Sequence, residues 1–428
     1  MKKVGVAILG LGVVGGGTYK ILTDNKEYFK TTQGLDITVE SVLELNRERA
    51  LSLGVPESAI ASSIAEVVSN PLVDIVVEVI GGVKVARDFV LQAISSGKSV
   101  VTSNKELVAK YWHELEDAAK KMNVGLYFEA SCVGGVPIIR TLIDGMQANK
   151  ITTLKGIVNG TTNYILTKMT QDGADYEEVL KEAQKLGYAE ANPTADVEGF
   201  DSTYKLSILS SLAFNKKVTI ANVHREGITG VTKEDIAYAK KSGFVIKLLA
   251  IAKNGPQGIE VRVHPTLVPV SNPLASVNDS FNAVFLTGDS VDDIMLYGRG
   301  AGALPTGSAI VSDVIYAAKH AGDYYYAPFK NTEVAEKSTK FVTDFSSKYF
   351  IRMILKNMVG VLSKLTSVFS KNGINLTYVK QNATNVDGEV ELVLISDMSS
   401  ESSVNKAIEK IKTMEEVVKV ESILRVED

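Results

Sequence analysis

A glycine-rich segment near the N-terminus places the strongest constraint on how this chain can fold. Residues 4–9 form a short apolar run that leads into the sequence GLGVVG at residues 10–15, and a helical pattern follows. This is a G-x-G-x-x-G motif between a strand and a helix. Its glycines allow a tight turn, close approach of the backbone to a pyrophosphate, and close packing of helix on strand. The segment predicts a Rossmann-type dinucleotide-binding domain, with a glycine turn that binds nothing as the alternative.

The size and composition of the chain indicate a protein with several globular domains. Its 428 residues exceed what one hydrophobic core usually organises, so two or three domains are expected. Apolar residues make up 45% and charged residues 22%, which is typical of a globular protein. The formal net charge of -4 gives no electrostatic reason to expect nucleic acid or an anionic membrane as a partner.

The N-terminus and the cysteine content bear on where the protein works. The first apolar run is short, contains glycine and leads into the glycine-rich turn, so we infer no export signal. No apolar run approaches the length that spans a bilayer. The single cysteine, Cys132, excludes an intrachain disulfide and fits a reducing compartment. We therefore expect a cytoplasmic protein.

Lys105 follows a predicted strand at a position that suits a ligand. Residues 75–79 and 99–102 read as buried parallel strands, and each ends in a polar or glycine-rich turn. Ligands of an open α/β sheet bind at the carboxyl ends of its strands. The alternative is an ordinary lysine in a first helical turn that only reaches to solvent.

The end of the predicted second strand, residues 37–45, bears on the choice of nucleotide. An acidic residue here favours the ribose hydroxyls of NAD, and a basic one favours the 2′-phosphate of NADP. Glu44 argues for NAD, whereas Arg47 and Arg49 argue for NADP. The preference between the two cofactors stays open at this point.

The most distinctive charge pattern lies in residues 187–205. Four carboxylates precede Lys205 here, and the segment reads as a structured loop that runs into a helix. Asp201 and Lys205 are four residues apart, so a helix presents both on one face and the carboxylate can fix the ammonium group. The alternative is a surface helix with a weak i,i+4 ion pair. The four carboxylates are Glu190, Asp196, Glu198 and Asp201.

Two further segments indicate a candidate cation site and a separate C-terminal domain. Glu129 ends a predicted strand, and the following loop, residues 130–137, offers carbonyl oxygens that could join it around a hard cation. Beyond a polar stretch, residues 349–426 give the order βαββαβ of a ferredoxin-like domain. That order by itself says little about function.

Taken together, these segments resemble one enzyme family along almost the whole chain. The catalytic part resembles homoserine dehydrogenase, and the C-terminal part resembles an ACT domain, a small amino-acid-sensing module. No kinase-like region precedes residue 4, so the form with a single activity is expected. The matching motifs are GLGVVGGG, VVTSNKELVA, FEASCVGGVPII, GIVNGTTNYIL, GYAEANPTADVEGFDSTYKL and GRGAGALPTGSA.

The resemblance implies NAD(P)-dependent interconversion of L-homoserine and L-aspartate 4-semialdehyde, on the route to threonine, methionine and isoleucine. Lys205 would transfer the proton, with Lys105 as a second lysine near the reacting oxygen. Glu190 and Asp201 would bind homoserine, and Asp196 would support that pocket. The resemblance places the cofactor at Gly10, Gly12, Val13, Val14, Gly15, Lys105, Gly187 and Gly302, and a structural sodium ion at Glu129, Cys132, Gly134 and Val136.

The resemblance also implies an organisation and partners. We expect an NAD(P)-binding Rossmann domain at 1–135 closed by 300–320, and an α+β catalytic and dimerisation domain at 136–320. A linker at 321–347 and an ACT regulatory domain at 348–428 would follow. A homodimer or homotetramer is expected. Threonine at the ACT domain is plausible, although the loop at 357–362 lacks the acidic residue and proline of many ACT domains.

Two alternatives to this interpretation remain. One is a dehydrogenase of the same architecture that acts on another small amino alcohol. The other is a non-catalytic amino-acid sensor on a dehydrogenase scaffold, which would bind threonine without binding a nucleotide. The presence of Lys105, Glu190, Asp201 and Lys205 argues against the sensor, because a sensor needs no pair of groups for proton transfer.

Overall fold

A computed structural model of the chain describes residues 1–320, 339–382 and 388–427. These residues form two units that interleave along the sequence. Most of the predicted linker at 321–347 lies outside the described residues. The first unit comprises Met1–Gly160, Asp201–Val223 and Ser280–Thr339, and the second comprises Thr161–Phe200, His224–Asp279 and Lys340–Asp428.

Strands and helices alternate through the first third of the chain, as apolar runs separated by glycine-rich or polar turns predict. The strands are β1 (Lys2–Leu9), β2 (Leu35–Leu43), β3 (Ile60–Ala61), β4 (Ile75–Glu78), β5 (Ser99–Thr102), β6 (Leu126–Tyr127), β7 (Ile151–Ile157), β8 (His224–Arg225), β9 (Phe244–Gly255), β10 (Gly258–Pro269), β11 (Phe281–Gly288), β12 (Asp292–Arg299), β13 (Ser346–Lys356), β14 (Leu376–Gln381), β15 (Glu389–Ser396), β16 (Ser399–Ser400) and β17 (Val417–Val426).

The helices begin and end near residues that suit helix termini. Asn104 caps the longest helix through its side chain, which accepts the Leu107 N–H, and Asn123 ends it in the left-handed region. The helices are α1 (Val13–Asp24), α2 (Lys26–Gln33), α3 (Arg47–Ser52), α4 (Ile64–Ser69), α5 (Lys84–Ser95), α6 (Lys105–Met122), α7 (Ile138–Arg140), α8 (Gly160–Asp172), α9 (Tyr176–Lys185), α10 (Thr194–Val197), α11 (Phe200–Phe214), α12 (Lys233–Lys241), α13 (Ala303–Lys319), α14 (Val361–Lys371) and α15 (Glu401–Lys412).

The first unit contains a six-stranded parallel sheet with the strand order β3-β2-β1-β4-β5-β6. β1 is central and pairs with β2 and β4, with Val6 opposite Val39 on one side and Ile75 on the other. The side chains of β1 from Val4 onwards are buried, as its continuous apolar run predicts. The predicted Rossmann-type domain is therefore confirmed.

Helix α13 packs against α1 within the same unit, although nearly three hundred residues separate them. Glycines make this contact possible. A Cβ atom on Gly17 would lie 2.2 Å from the Ala303 carbonyl oxygen, and one on Gly307 would lie 3.0 Å from the Gly17 carbonyl carbon. The two helices can approach closely because neither carries a side chain at the crossing point.

The first unit also holds three antiparallel strands. β11 lies between β7 and β12, with Ala283 opposite Ile157 and Tyr297. The sequence analysis predicts no strand at β12. β12 is largely exposed along its length, so no apolar run marks it as a strand.

The second unit is built on a mixed sheet with the order β9-β10-β17-β13-β15-β14. β9 and β10 form a long antiparallel hairpin, and β17 pairs in parallel with β10 at Thr266 and Leu267. β13 is antiparallel to both β17 and β15. The strands of the C-terminal domain thus continue the sheet of His224–Asp279, which we call the middle segment.

The predicted order βαββαβ of the C-terminal domain is confirmed. α14 and α15 cover one face of its sheet, where Ile351, Met353 and Leu392 lie in a core with Leu365 and Ile408. One strand prediction before this domain was too long. Residues 125–129 were expected to form a strand, but β6 covers only Leu126–Tyr127, and Glu129 opens a 3-10 turn that aims its carboxylate into the protein.

Within the described ranges, none of the helices is long and apolar enough to cross a membrane.

Lys247 on β9 is a buried lysine whose ammonium group is held by neutral oxygen atoms. Its side chain is 2% exposed. Nζ donates hydrogen bonds to the Val277 carbonyl oxygen at 2.5 Å and to Asn163 Oδ1 at 3.1 Å. Burial lowers the pKa of Lys247 to about 8, because a charged group loses water there without gaining a carboxylate partner at bonding distance.

Lys247→Met should remove a pH dependence of stability. The unfolded chain binds the Lys247 proton more tightly than the folded chain, so the free energy of unfolding rises as pH increases from about 8 towards about 10.5. Across this window the wild type should gain on the order of 3 kcal/mol relative to Lys247→Met. Urea denaturation at several pH values measures the difference, with the exposed Lys241→Met as control. Parallel curves for wild type and Lys247→Met would contradict the prediction.

Candidate active site

The turn between β1 and α1 forms an open cradle at the end of the parallel sheet. Gly10 adopts φ 93°, in the region that favours glycine, and its N–H donates to the Leu43 carbonyl oxygen at 2.8 Å. Gly12 precedes α1, and a Cβ atom on it would meet no heavy atom within 4 Å. Backbone N–H groups at the start of α1 therefore face open space, which suits a pyrophosphate. Gly10 and Gly12 lie in this turn, and Val13, Val14 and Gly15 form the start of α1.

Glu44 and Arg49 hold this turn from the end of β2. Glu44 Oε2 accepts the Leu11 N–H at 2.6 Å, and its Oε1 accepts the Asn46 N–H at 2.9 Å. Arg49 Nε donates to the Leu11 carbonyl oxygen. The Glu44 carboxylate thus fixes the glycine-rich turn, a role that the sequence did not predict because it joins residues 33 positions apart.

Glu78 organises the neighbouring strand ends. This buried carboxylate accepts the Thr102 hydroxyl at 2.6 Å and the Ile80 N–H at 3.0 Å. Burial raises the pKa of Glu78, although these hydrogen bonds oppose the shift. Thr102 Oγ1 in turn accepts the Asn104 N–H at 3.0 Å, and Lys105 begins α6. The sequence analysis missed Glu78, for which an acid at the end of a buried strand was the available signal.

Asp201 joins two lysines in the first unit. Its Oδ1 lies 2.7 Å from Lys105 Nζ, and its Oδ2 lies 2.7 Å from Lys205 Nζ. The Asp201 residue is 4% exposed and Lys205 is 8% exposed, whereas 42% of the Lys105 side chain is exposed. Of the residues predicted for catalysis and substrate binding, the structure brings these three together.

The charges of this cluster stabilise each other. Burial alone would raise the pKa of Asp201, but the ammonium groups of Lys205 and Lys105 outweigh it and hold that pKa well below its usual range. Asp201 therefore stays ionised. One buried anion faces two cations, which leaves the cluster positive and suited to an oxygen atom that develops negative charge.

Two residues at the end of β7 complete the cluster, and the sequence analysis did not assign them to it. The Val158 carbonyl oxygen accepts a hydrogen bond from Lys205 Nζ at 2.7 Å. Asn159 Nδ2 donates to Asp201 Oδ2 at 2.8 Å. The available signal was the polar turn directly after a strand, where ligands of α/β proteins commonly bind.

The remaining predicted substrate and cofactor residues are divided between the two units. Gly302 precedes α13 in the first unit with φ 125°. Gly187, Glu190 and Asp196 belong to the second unit. Gly187 follows α9 with φ 78°, Glu190 is exposed, and Asp196 lies half-buried in α10. Their predicted roles remain predictions.

The loop predicted to hold a cation is buried and sharply curled. Val133 and Gly134 are consecutive residues in the left-handed region, with φ 57° and 59°. This is costly for a β-branched residue, so the surrounding structure must hold the turn in place. The Glu129 carboxylate accepts the N–H groups of Ile139 and Arg140 at 2.8 and 2.7 Å. Carbonyl oxygens of the loop therefore fit a hard cation better than the Glu129 side chain does.

Cys132 in this loop has no nucleophilic character. Its side chain is fully buried, and burial raises the pKa of the thiol to about 12. Only its carbonyl oxygen is relevant to the predicted cation site.

Family models match three segments of the chain. Residues 10–129 match "Homoserine dehydrogenase, NAD binding domain", residues 137–315 match "Homoserine dehydrogenase", and residues 349–416 match "ACT domain". Together they cover more than half of the sequence.

Individual relatives are similar along their full length. Homoserine dehydrogenase of Bacillus subtilis is 40% identical over 433 residues, covering 100% of this chain and 99% of the relative. That of Corynebacterium glutamicum is 41% identical, covering 99% and 96%. A crystal structure of a homoserine dehydrogenase from Thiobacillus denitrificans has a TM-score of 0.93 at 40% identity, covering 100% and 99%. A hyperthermophilic archaeal homoserine dehydrogenase in complex with NADPH has a TM-score of 0.63 at 28% identity, covering 74% and 98%.

Gly15→Ala should destroy the nucleotide cradle, whereas Gly16→Ala should not. A Cβ atom on Gly15 would lie 2.0 Å from the Gly10 carbonyl oxygen, so the turn must open, but the nearest atom to a Cβ on Gly16 lies 3.5 Å away. We expect Gly15→Ala to weaken binding of the reduced nucleotide, NADH or NADPH, by at least tenfold, about 1.4 kcal/mol. Gly16→Ala should gain up to about 1 kcal/mol of stability from helix propensity. Fluorescence titration with NADH and with NADPH, together with thermal unfolding, measures both effects. Equal binding by the two variants would contradict the steric argument.

Proposed function

The chain belongs to the homoserine dehydrogenase family, and on that premise we propose that the lysine cluster around Asp201 carries out the family's reaction. This reaction is the NAD(P)-dependent interconversion of L-homoserine and L-aspartate 4-semialdehyde, in the biosynthesis of threonine and methionine. The protein is thus an NAD(P)-dependent oxidoreductase. The observation that carries the proposal is the cluster of Lys105 with the buried Asp201 and Lys205, in the same unit as the nucleotide cradle.

We propose Lys205 as the group that moves the proton. When bound, a nicotinamide would supply hydride transfer at the terminal carbon of the substrate. An ammonium group has three N–H bonds, and those of Lys205 include one to the Val158 carbonyl oxygen and one to Asp201 Oδ2. A third is available for the substrate oxygen, to stabilise negative charge there and to donate the proton on reduction. In the oxidative direction Lys205 must first lose a proton to solvent, and the neutral amine then receives the proton of the homoserine hydroxyl group.

The other residues of the proposed site bind and orient. Lys105 begins α6 with a partly exposed side chain, and we assign it to the reacting oxygen and the cofactor. Glu190 and Asp201 bind homoserine in this proposal, with Asp196 in support. Asp201 also fixes the two lysines, because both of its oxygen atoms accept hydrogen bonds from them. The proposed cofactor contacts are Gly10, Gly12, Val13, Val14, Gly15, Lys105, Gly187 and Gly302.

A structural sodium ion is part of the proposal. It would bind at Glu129, Cys132, Gly134 and Val136, mainly through carbonyl oxygens. The left-handed pair Val133 and Gly134 supports this assignment, because a curl of this kind needs compensation from elsewhere in the structure. The ion would hold the loop and would take no part in the reaction.

We propose that threonine regulates the enzyme through the ACT domain. A cavity of about 300 Å³ lies between the loop from β13 to α14 and the strands β14 and β15. Its walls combine polar groups for an amino acid with apolar ones for a short side chain. The lining includes Asn357, Met358, Ser363, Gln381, Val390 and Leu392.

The wider organisation is proposed from family membership. Domains would extend over 1–135 closed by 300–320, over 136–320, and over 348–428, with a linker at 321–347. The protein would form a homodimer or homotetramer. A reducing compartment such as the cytoplasm agrees with the single cysteine, which is buried.

Lys205→Met should abolish turnover and leave the protein folded. Loss of the proton-transfer group is expected to lower kcat on the order of 10³-fold. The fold should survive because Lys105 and Asn159 still satisfy the Asp201 carboxylate. The assay follows reduced-nicotinamide absorbance with L-homoserine and either NAD or NADP, each with and without threonine, and circular dichroism checks folding.

Lys20→Met is the matched control, because Lys20 and Asp24 form an exposed i,i+4 pair at 2.7 Å on α1. It should turn over like the wild type. A folded Lys205→Met variant with wild-type kcat would remove Lys205 from the mechanism. Folded wild-type protein that oxidises no homoserine with either cofactor would contradict the function itself.

A further inference from the structure

Both faces of the ACT sheet in the second unit are covered. Its own helices, α14 and α15, cover one face, and α12 covers the other. Side chains of β13 alternate between the faces. Ile351 and Met353 point into the core with α14 and α15. Phe350 and Arg352 point the other way, where the Phe350 ring lies 5.9 Å from that of Tyr238 on α12. The sheet therefore lies between its own helices and a helix of the middle segment.

Arg352 is the polar centre of this second face. It is 4% exposed, and its Nε donates to Asp235 Oδ1 at 2.8 Å. One terminal nitrogen donates to Thr232 Oγ1 at 2.9 Å, and the other to Glu391 Oε1 at 3.1 Å. Thr232 and Asp235 form the capping box of α12. One buried guanidinium thus joins the first turn of α12 to strand β15.

Strand β15 connects Arg352 to the ACT cavity. Val390 and Leu392 line the cavity, and Glu391 stands between them on the opposite face of the strand. Glu391 Oε2 also accepts Asn382 Nδ2 at 2.5 Å, next to Gln381 of the cavity wall. A shift of β15 towards or away from a ligand must therefore move the carboxylate that holds Arg352.

We propose that Arg352 couples occupation of the ACT cavity by a small free α-amino acid to the position of α12. The ligand changes the contact between Glu391 and Arg352, and Arg352 passes that change to Thr232 and Asp235. This inference rests on the proposed amino-acid site in the ACT domain. It names the residue that transmits regulation, and it requires two arrangements of the contact with different affinities for the ligand.

The chain after α12 and one hydrogen bond connect α12 to α8. α12 ends at Lys241, and β9 begins at Phe244. Lys247 of β9 donates to Asn163 Oδ1 on α8. α8 begins at Gly160, directly after the Asn159 whose side chain holds Asp201. A displaced α12 can therefore act through β9 on α8, the helix that begins directly after Asn159 in the chain.

Glu391→Gln in the full-length protein tests the coupling. Glutamine keeps the size of the side chain but loses the charge that holds Arg352. We expect basal turnover within about twofold of the wild type and L-threonine binding, by calorimetry, within about threefold. At saturating threonine the wild type should lose at least about fivefold in activity, the lower end of usual allosteric couplings, and Glu391→Gln should lose almost none.

The matched control is Glu389→Gln, two residues earlier on the same strand and the same face. It carries the same chemical change next to the Arg352 contact, so inhibition should persist. Hydrogen exchange in the first turn of α12 provides a second measurement. Threonine should change it in the wild type and in Glu389→Gln but not in Glu391→Gln.

Each outcome decides the inference. Full threonine inhibition in Glu391→Gln overturns it, and so does a wild type that binds no threonine. In that second case, homoserine turnover by the same preparation leaves the proposed catalytic function standing. A threonine-dependent change in α12 exchange that Glu391→Gln abolishes supports the coupling even if homoserine is not turned over.

Discussion

The buried carboxylate of Asp201 is the constraint on which the site depends. A carboxylate removed from water is unfavourable unless charges and hydrogen bonds replace the lost solvation. Three separate segments provide them, because α6 brings Lys105, α11 brings Lys205, and the end of β7 brings Asn159. The same contacts that allow the anion to be buried fix the two ammonium groups. Stability and preorganisation of the site therefore have one physical cause.

Local patterns allowed much of the fold to be predicted from the sequence. The strand, glycine turn and helix at residues 4–22, and the order βαββαβ near the C-terminus, both follow from hydrophobic period and turn residues. The i,i+4 relation of Asp201 and Lys205 follows from helix geometry. Each of these features depends on residues close together in sequence, which is why one sequence was enough.

Contacts between distant segments could not be predicted in the same way. Glu44 accepts the Leu11 N–H across 33 positions, and Asn159 reaches Asp201 across 42. A carboxylate beside a strand end looks the same in sequence whether it faces a ribose or a backbone N–H. The parallel pairing of β17 with β10 is also without a local signature, since the two strands are far apart in sequence and meet at only two residue pairs.

The ACT domain and the middle segment are joined by side-chain contacts as well as by the pairing of β17 with β10. His224, Glu226 and Glu401 bring ligand-type atoms within 4.8 Å of one another, which by itself would suggest a metal site. Arg425 of β17, however, donates hydrogen bonds to both Glu226 and Glu401. A guanidinium group already supplies the positive charge there, and the strand that carries it is the one paired with β10. Backbone pairing and buried charge thus join the ACT domain to the middle segment at the same place.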